Sequence, residues 1–146
     1  MPVSIVVGGQ FGSEGKGKVA HEIVRHRTAA AVIRVGGTNS GHTVIGVDGE
    51  TYALRQLPAA AVDGSVKVIF PAGSYIDFAI LKRELRRLRL GPDRVLISPM
   101  ARIITDEHKQ WELTADLGSL IGSTQSGTGA AVMAMTARGA TGFPLH

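Results

Sequence analysis

The chain has no cysteine and few aromatic residues, with one tryptophan, two tyrosines and four phenylalanines among 146 residues. The absence of cysteine excludes disulfide bonds and metal centres held by thiolates. No apolar run approaches the length of a membrane span, and the N-terminus lacks the layout of a signal peptide. We therefore expect a cytoplasmic protein without a membrane partner.

Glycine and positive charge are instead abundant. The chain has 19 glycines, a formal net charge of +4 and a pI near 9.9, which suits anionic ligands such as nucleotides. Its length is that of one domain. Part of the positive charge falls on one predicted helix, at Lys82, Arg83, Arg86, Arg87 and Arg89. This basic face could bind nucleic acid, but a solvated face is the favoured interpretation because no aromatic side chains are interleaved to stack on bases.

A glycine-rich loop stands near the N-terminus, between a predicted strand and a predicted helix. Val3–Val7 is rich in β-branched residues and predicts a buried strand, and helical spacing resumes over Gly15–Arg27. Glycine lets backbone N–H groups converge on an anion, and the helix N-terminus adds a favourable partial charge. Lys16 and Lys18 supply positive side chains. The stretch predicts a phosphate-binding loop; the alternative is a tight turn with two solvated lysines.

This loop departs from a standard P-loop at one position. Gly12–Lys18 matches the pattern G-x-x-x-x-G-K, but Val19 follows where the pattern has serine or threonine. No hydroxyl group therefore stands at that position to bind a magnesium ion.

Two more polar glycine loops follow. Ala29–Val35 predicts a strand parallel to the first and beside it, and Gly36–Thr43 comes directly after. In open α/β sheets the carboxyl ends of the strands are where ligands bind. His42 in this loop can titrate near neutral pH, although an incidental polar loop is the alternative. The third loop, Gly118–Gly129, places small hydroxyl residues among glycines, which suits an anion but also a flexible linker.

The remaining elements complete a mostly parallel α/β fold. Asp48-Gly49 predicts a β-hairpin between Thr43–Val47 and Thr51–Leu57. Further strands are expected at Val66–Phe70 and Arg94–Ser98. Helices are expected at Ser74–Leu90 with Ser74 as N-cap, from Thr105 or Asp106 to Leu120 with His108 on the surface, and at Ala130–Ala137. The sequence thus predicts one nucleotide-binding domain over residues 1–146, with a P-loop-like, mostly parallel sheet flanked by helices.

Taken together, the three loops resemble the signatures of one protein family. Gly8–Lys18, Gly36–Val44 and Ile121–Ala130 are similar, in this order, to the three signatures of the adenylosuccinate synthetases. The resemblance implies the N-terminal part of that family's fold, incomplete relative to its longer chains. It also implies a ligase that joins L-aspartate to the 6-oxo carbon of inosine monophosphate. In the family GTP phosphorylates the purine 6-oxygen, aspartate displaces the phosphate, Mg²⁺ assists, and the working unit is a homodimer.

The resemblance assigns roles to the residues that match the family's motifs. The GTP-binding residues would be Gly12, Ser13, Glu14, Gly15, Lys16, Gly17, Lys18, Gly41, His42 and Thr43. The purine monophosphate would contact Ser13, Glu14, Gly15, Lys16, Asn39, Ser40, Gly41, His42, Thr124 and, from the other subunit, Arg138. Ser13 and the Gly41 carbonyl would hold magnesium. Ser13 and His42 would be the catalytic positions, with His42 as general acid and stabiliser of the phosphoryl group.

Two departures from the family leave alternatives open. The family has aspartate, its catalytic base and a magnesium ligand, where this chain has Ser13. A serine here resembles a phage-associated branch that makes 2-aminoadenylosuccinate, so the substrate is inosine monophosphate or a guanine nucleotide, used with GTP or ATP. The family's guanine-recognition and aspartate-binding loops lie beyond residue 146. A non-catalytic module that binds GTP or a purine monophosphate is therefore the alternative function, and nucleic acid is not expected as a partner.

Overall fold

The computed structural model describes residues 3–10, 12–63 and 65–137. Over these ranges the α-helices are α1 (Lys16–His26), α2 (Phe78–Leu88), α3 (Asp106–Thr114), α4 (Leu117–Ile121) and α5 (Thr128–Thr136). The strands are β1 (Ala31–Ile33), β2 (His42–Ile45), β3 (Thr51–Leu54), β4 (Lys67–Phe70), β5 (Tyr75–Ile76), β6 (Val95–Ile97) and β7 (Arg102–Ile103). Short 3-10 turns lie at Ala59–Ala61 and Pro92–Arg94. None of the helices in the described ranges is long and apolar enough to cross a membrane.

A parallel sheet forms the centre of the fold. β4 lies between β1 and β6, and both pairings are parallel. β2 and β3 form an antiparallel hairpin joined through Asp48-Gly49, as the sequence predicts, while β5 pairs with β7 in parallel. The predicted α/β class, a mostly parallel sheet flanked by helices with one β-hairpin, is confirmed.

The main hydrophobic core joins this sheet to α2. Val68 and Phe70 of β4 are fully buried, and they cluster with Leu81 of α2 and with Leu54 and Leu57 at and after the end of β3. Complete burial of one such side chain stabilises the fold by about 1.5–3 kcal/mol. The core therefore fixes α2 and the end of the hairpin against the sheet.

The N-terminal strand predicted over Val3–Val7 is wrong. Residues 3–8 form no strand, and the side chains of Val3, Ile5 and Val7 are 83%, 81% and 78% exposed. A β-branched composition shows only that a segment would fit a pleated, half-buried surface. A strand also needs a partner for its backbone hydrogen bonds, and β1, the expected neighbour, is an edge strand that pairs with β4 alone among the described residues. The predicted place of β1 beside an N-terminal strand is therefore wrong as well.

The start of α2 also differs from the prediction. Asp77, not Ser74, is its N-cap, and the Asp77 carboxylate accepts the N–H of Ile80 at 3.1 Å. The preceding segment is extended because β5 pairs with β7. Ser74 instead donates its hydroxyl to the carbonyl of Arg34 at 3.3 Å. Tertiary pairing thus overrides the local preference of serine for a helix start.

The helix predicted to end at Leu120 breaks earlier. α3 stops at Thr114, and Asp116 starts α4 from a left-handed conformation with φ 49°. The prediction that His108 is a surface residue is wrong, because this side chain is buried. Its Nδ1 accepts the N–H of Thr105 at 3.0 Å, and the two residues form a capping box at the start of α3. His108 is thus a structural residue of the start of α3.

Candidate functional site

The first glycine loop turns sharply into α1. Gly12, Ser13 and Gly15 all have left-handed backbone, with φ of 122°, 56° and 76°. Gly15 is the N-cap of α1, and no side chain caps the helix there. The N–H groups of the first helical turn are therefore left to an external acceptor, and the helix dipole favours an anion at this point. This geometry is compatible with the predicted phosphate-binding loop.

Lys16 and Glu14 form an ion pair inside this loop. The ion pair with Lys16 is the main reason that the pKa of Glu14 lies below its usual value, and the Glu14 carboxylate also accepts the Gln10 N–H at 2.9 Å. A Cβ added at Gly8 would lie 2.8 Å from Lys16 Nζ, so the ion pair packs directly against the glycine backbone. The Lys16 side chain remains 39% exposed, which leaves its ammonium group accessible to an anion.

His42 lies against the first turn of α1. It opens β2, and a Cβ added at Gly17 would lie 2.8 Å from its Nδ1, so the imidazole occupies the space that this glycine leaves. Burial, followed by the positive charges of Arg34 and Lys16, holds the pKa of His42 below its usual value. The ring is therefore neutral at neutral pH in the free protein. A bound phosphate would oppose this shift because a nearby negative charge favours the protonated ring.

Arg34 contacts His42 from the end of β1. Its Nη1 donates to His42 Nε2 at 2.6 Å, and its Nη2 donates to the carbonyls of Arg55 at 2.8 Å and Gly37 at 3.2 Å. Arg34 therefore ties the second loop to β1 and to the segment after β3. The sequence analysis missed this role, although a single charged residue inside the apolar run Ala29–Val35 was a signal that could have shown it.

The third loop is held by a buried carboxylate from α3. Glu112 is 2% exposed and accepts the N–H groups of Gly127 at 2.8 Å and Ala130 at 3.1 Å. It therefore occupies the start of α5, whose N-cap is Gly127, so this helix end is less open to an anion than the start of α1. Gln125 in the same loop has left-handed backbone with φ 51°, which is uncommon for a residue other than glycine. Nothing in the sequence pattern of α3 pointed to Glu112.

Two close contacts bring the three loops together. His42 sets the second loop against the first at Gly17, as described above. Thr128 sets the third loop against the second, because a Cβ added at Gly37 would lie 2.7 Å from the Thr128 methyl carbon. Thr128 also lies 3.1 Å from Ser126, hydroxyl to hydroxyl, in a buried contact. Segments that are far apart in the chain therefore meet at one place on the fold.

The predicted site residues differ in their exposure. Those open to solvent are Gly12, Ser13, Gly15, Lys18, Asn39, Ser40, Gly41, Thr43 and Thr124. Glu14, Lys16 and His42 are half-buried, and Gly17 is buried under the imidazole of His42. Arg138 lies outside the described residues. The first two loops thus present an accessible polar surface, and the third reaches them through Thr128 more directly than through Thr124.

Protein ligands for a metal ion are few in this region. In the part of the chain that the structure describes, no three side chains among histidine, cysteine, aspartate and glutamate cluster closely enough to hold a metal. Ser13 and Gly41 offer one hydroxyl and one carbonyl oxygen, both neutral and exposed. Magnesium takes oxygen ligands and commonly keeps waters and substrate phosphates in its shell. These residues fit a magnesium ion that is bound together with a nucleotide, not an all-protein site.

The chain matches known proteins over almost its whole length. The family model for adenylosuccinate synthetase matches residues 5–143. The adenylosuccinate synthetases of Pyrococcus horikoshii and Methanococcus aeolicus are each 38% identical to it over 135 residues, which is 90% of this chain and 40% of theirs.

Two solved structures share the fold. The fully ligated adenylosuccinate synthetase of Plasmodium falciparum has a TM-score of 0.76 at 29% identity, covering 90% of this chain and 32% of that one. The succinoaminodeoxyadenylate synthetase of cyanophage S-2L, bound to dGMP and to dATP as an energy donor, has a TM-score of 0.70 at 30% identity. That match covers 88% of this chain and 36% of the phage protein.

Over the part of their length that it covers, the fold is shared with synthetases, a class of ligase. The chain belongs to the adenylosuccinate synthetase family, as its three loops predict. It spans about 40% of the length of the two curated relatives named above, and about a third of the two solved structures.

Proposed function

We propose that the chain supplies the nucleotide-binding region of a ligase that joins L-aspartate to the 6-oxo position of a purine monophosphate. A nucleoside triphosphate, GTP or ATP, phosphorylates the purine 6-oxygen, and aspartate then displaces that phosphate. The observation that carries this proposal is the contact of His42 with Gly17, which sets the second family signature against the first. A side chain suited to act on the transferred phosphate thereby lies beside the turn suited to bind it.

The first two loops have the groups that phosphoryl transfer requires. This reaction depends on positioning and charge neutralisation more than on covalent help. The uncapped start of α1 and the ammonium group of Lys16 supply both. His42 would stabilise the transferred group and act as general acid through a ring N–H directed at the phosphate. Gly41 and Thr43, on either side of His42 in sequence, would bind the triphosphate.

Magnesium is expected to bind together with the nucleotide. The Gly41 carbonyl and the Ser13 hydroxyl would be the protein ligands, and phosphate oxygens and waters would complete the shell. When bound, the ion would neutralise charge on the phosphates. Since both protein ligands are neutral oxygens, we expect magnesium affinity to depend on the presence of nucleotide.

Ser13 supports a guanine monophosphate as an alternative to inosine monophosphate. Serine can both donate and accept a hydrogen bond, whereas an ionised aspartate only accepts. The cyanophage relative was solved with dGMP and dATP. Those ligands support one alternative pair of substrates for this chain, a guanine nucleotide with ATP. The other pair is the inosine monophosphate and GTP of the wider family.

Lys16→Ala is expected to weaken binding of nucleotide phosphates by about 1.5–3 kcal/mol, because a hydrogen bond to a charged group is lost. Isothermal titration calorimetry of the intact protein measures this, with inosine or guanine monophosphate in the presence of GTP or ATP. Lys82→Ala removes an exposed lysine of α2 and is the control, with no change in affinity expected. Equal affinities of wild type and Lys16→Ala would show that Lys16 does not contribute to nucleotide binding. A folded protein that binds none of these nucleotides would contradict the proposed function itself.

A non-catalytic module that binds GTP or a purine monophosphate is the second candidate function. Ser13 favours this candidate, because a serine at this position lacks the carboxylate that the family uses as its base. Turnover distinguishes the two candidates. Release of phosphate from the triphosphate, dependent on both the monophosphate and aspartate, supports the ligase. Binding without turnover by the full-length protein supports the module.

A homodimer is part of the proposal, with Arg138 of one subunit reaching the nucleotide of the other. Mixing equal amounts of Arg138→Ala and His42→Ala chains is expected to restore about a quarter of the wild-type sites. The reason is that half of the randomly formed dimers are hybrids, and each hybrid has one site with both residues intact. Activity of the mixture, compared with that of each variant alone, measures this. A strictly monomeric protein at micromolar concentration would exclude such a shared site.

A further inference from the structure

We propose that Arg34 is a positioning residue that fixes His42 in the Nδ1–H tautomer, with the protonated nitrogen turned toward the first glycine loop. This inference rests on the proposed function, because it concerns what His42 presents to a bound phosphate. Two observations carry it: the direction of the hydrogen bond between Arg34 and His42, and the edge of the imidazole that faces Gly17.

The hydrogen bond between Arg34 and His42 can run in only one direction. Nη1 of Arg34 lies 2.6 Å from Nε2 of His42. A guanidinium group has N–H donors, no acceptor, and stays protonated in proteins. Nε2 must therefore accept the bond. A neutral imidazole that accepts at one nitrogen carries its proton on the other, so the proton of His42 is on Nδ1.

The Nδ1 edge of the ring faces the start of α1. A Cβ added at Gly17 would lie 2.8 Å from both Nδ1 and Cγ of His42. This is the helix end that no side chain caps and that the proposed function assigns to phosphate. The imidazole thus offers an N–H donor beside the open backbone donors. The opposite tautomer would turn a lone pair toward the same place, where it would repel a phosphate oxygen.

Arg34 is held firmly enough to impose this tautomer. Its Nη2 donates to the carbonyls of Arg55 and Gly37, and its backbone N–H donates to the Ile69 carbonyl on the neighbouring strand at 3.0 Å. Within the described ranges, its side-chain hydrogen bonds go to carbonyls, a hydroxyl and the imidazole, and none goes to a carboxylate. The negative charge of Glu84 partly offsets the effect of burial, which lowers the pKa of Arg34. The hydrogen bonds of the guanidinium, in contrast, go to the second loop, its histidine and the segment after β3.

The tautomer can be read directly by NMR at one mildly alkaline pH, where His42, whose pKa burial lowers, is neutral. Long-range proton–nitrogen correlation on labelled protein distinguishes protonated from unprotonated ring nitrogens, and His42→Gln identifies the signals. Wild type should show Nδ1–H at His42, although histidine in water favours Nε2–H. Arg34→Met keeps a long unbranched side chain but removes the N–H donor, and it should shift His42 to the Nε2–H tautomer. Arg94→Met is the matched control, because Arg94 donates to the Val66 carbonyl at 2.9 and 2.7 Å, and it should leave Nδ1–H in place.

The effect of Arg34 on nucleotide binding is measured by titrating wild type and variants with one triphosphate. This is GTP or ATP, whichever the wild-type protein binds more tightly. Arg34→Met should weaken this binding about tenfold, the effect of losing one hydrogen bond to a charged group. Arg34→Lys keeps a cationic donor. It should therefore restore part of the Nδ1–H population of His42 and part of the triphosphate affinity. Arg94→Met should match wild type.

Several results would overturn the proposal. A proton on Nε2 of His42 in the wild-type protein would overturn the proposal. This measurement needs no variant, so the proposal can be tested even if Arg34→Met does not fold. An unchanged tautomer in Arg34→Met, or a changed tautomer with unchanged triphosphate affinity, would overturn it as well. If wild type shows Nδ1–H and binds no nucleotide, the proposed function fails and the role of the tautomer with it. A wrong tautomer with intact nucleotide binding contradicts the role of Arg34 alone.

Discussion

Glu84→Gln should lower the free energy of unfolding by about 3 kcal/mol, because it leaves buried backbone donors without an acceptor. Glu84 lies on α2 and is 4% exposed. Its carboxylate accepts the N–H groups of Arg55 at 2.6 Å, Gln56 at 3.0 Å and Leu57 at 2.7 Å. Glutamine offers one oxygen, and its own N–H groups would face these donors. Each buried donor left unpaired costs about 1–3 kcal/mol.

Chemical denaturation of wild type and variant measures this loss. Glu22→Gln is the matched control, since Glu22 is an exposed helical glutamate that pairs with Arg25 and His26 at the surface and lies 3.9 Å from Nδ1 of the buried His21. Such pairs contribute little, and the control should change the free energy of unfolding by about 0.5 kcal/mol at most. A loss no larger than that of the control would show that the carboxylate of Glu84 is not needed to hold these backbone groups.

The same carboxylate also supports the candidate site. The segment that Glu84 holds includes Arg55, whose carbonyl accepts from Arg34 and whose guanidinium donates twice to the Thr38 carbonyl, at 3.0 and 2.9 Å. Arg34 in turn contacts His42. The position of the second loop therefore depends on a helix residue that contacts no predicted ligand. Residues of this kind explain how a small α/β core can present an ordered polar loop.

Local sequence signals predicted the elements whose cause is local. Asp48-Gly49 is a turn pair that favours a hairpin when apolar runs flank it, and the structure has that hairpin. α1 begins at Lys16 because the glycines before it can adopt left-handed backbone and the residues after it have helical spacing. The three signature loops were likewise visible as short motifs, and the family they predict is confirmed.

Features that depend on distant residues could not be predicted in this way. Val3–Val7 has strand composition, but no local pattern states whether a neighbouring strand is available to pair with it. Glu84 had a partial signal, since it falls in register with Leu81, Leu85 and Leu88 on the apolar side of α2. Which backbone groups it binds, however, is set by the return of the chain after β3. Pairings across many residues are fixed by the packing of the whole fold.

Ser13→Asp should raise turnover of inosine monophosphate by about 10²–10⁴-fold, the range that a general base contributes. In the family's mechanism, aspartate removes the N1 proton of the 6-oxopurine so that its oxygen can attack the γ-phosphate. A free serine hydroxyl has no useful pKa near neutrality. Glu14 is a poor substitute, because its ion pair with Lys16 holds the pKa of its carboxyl low and makes it a weaker base. Water or the substrate's own phosphate is left to accept the proton in wild type.

The wild-type protein should instead prefer a guanine monophosphate. Serine is shorter than aspartate and would leave room beside N1 for the 2-amino group of guanine. Its oxygen could accept a hydrogen bond from that amine. Ser13 is exposed at the turn before α1, where a purine ring can reach it. Steady-state turnover of the two monophosphates by the full-length protein, with triphosphate and aspartate present, measures the preference.

The backbone at this position makes asparagine the matched control. Ser13 has φ 56°, a left-handed conformation in which aspartate and asparagine are enriched among residues other than glycine. Both substitutions should therefore fit the loop, and they differ in whether the side chain can act as a base. Ser13→Asn should leave inosine monophosphate turnover near the wild-type level, and equal gains for the two variants would contradict the role of a base. A wild type that prefers inosine monophosphate, with no further shift in Ser13→Asp, contradicts the argument for guanine. If none of the three proteins turns over either purine, although each binds it, the loop serves binding alone and the non-catalytic function is correct.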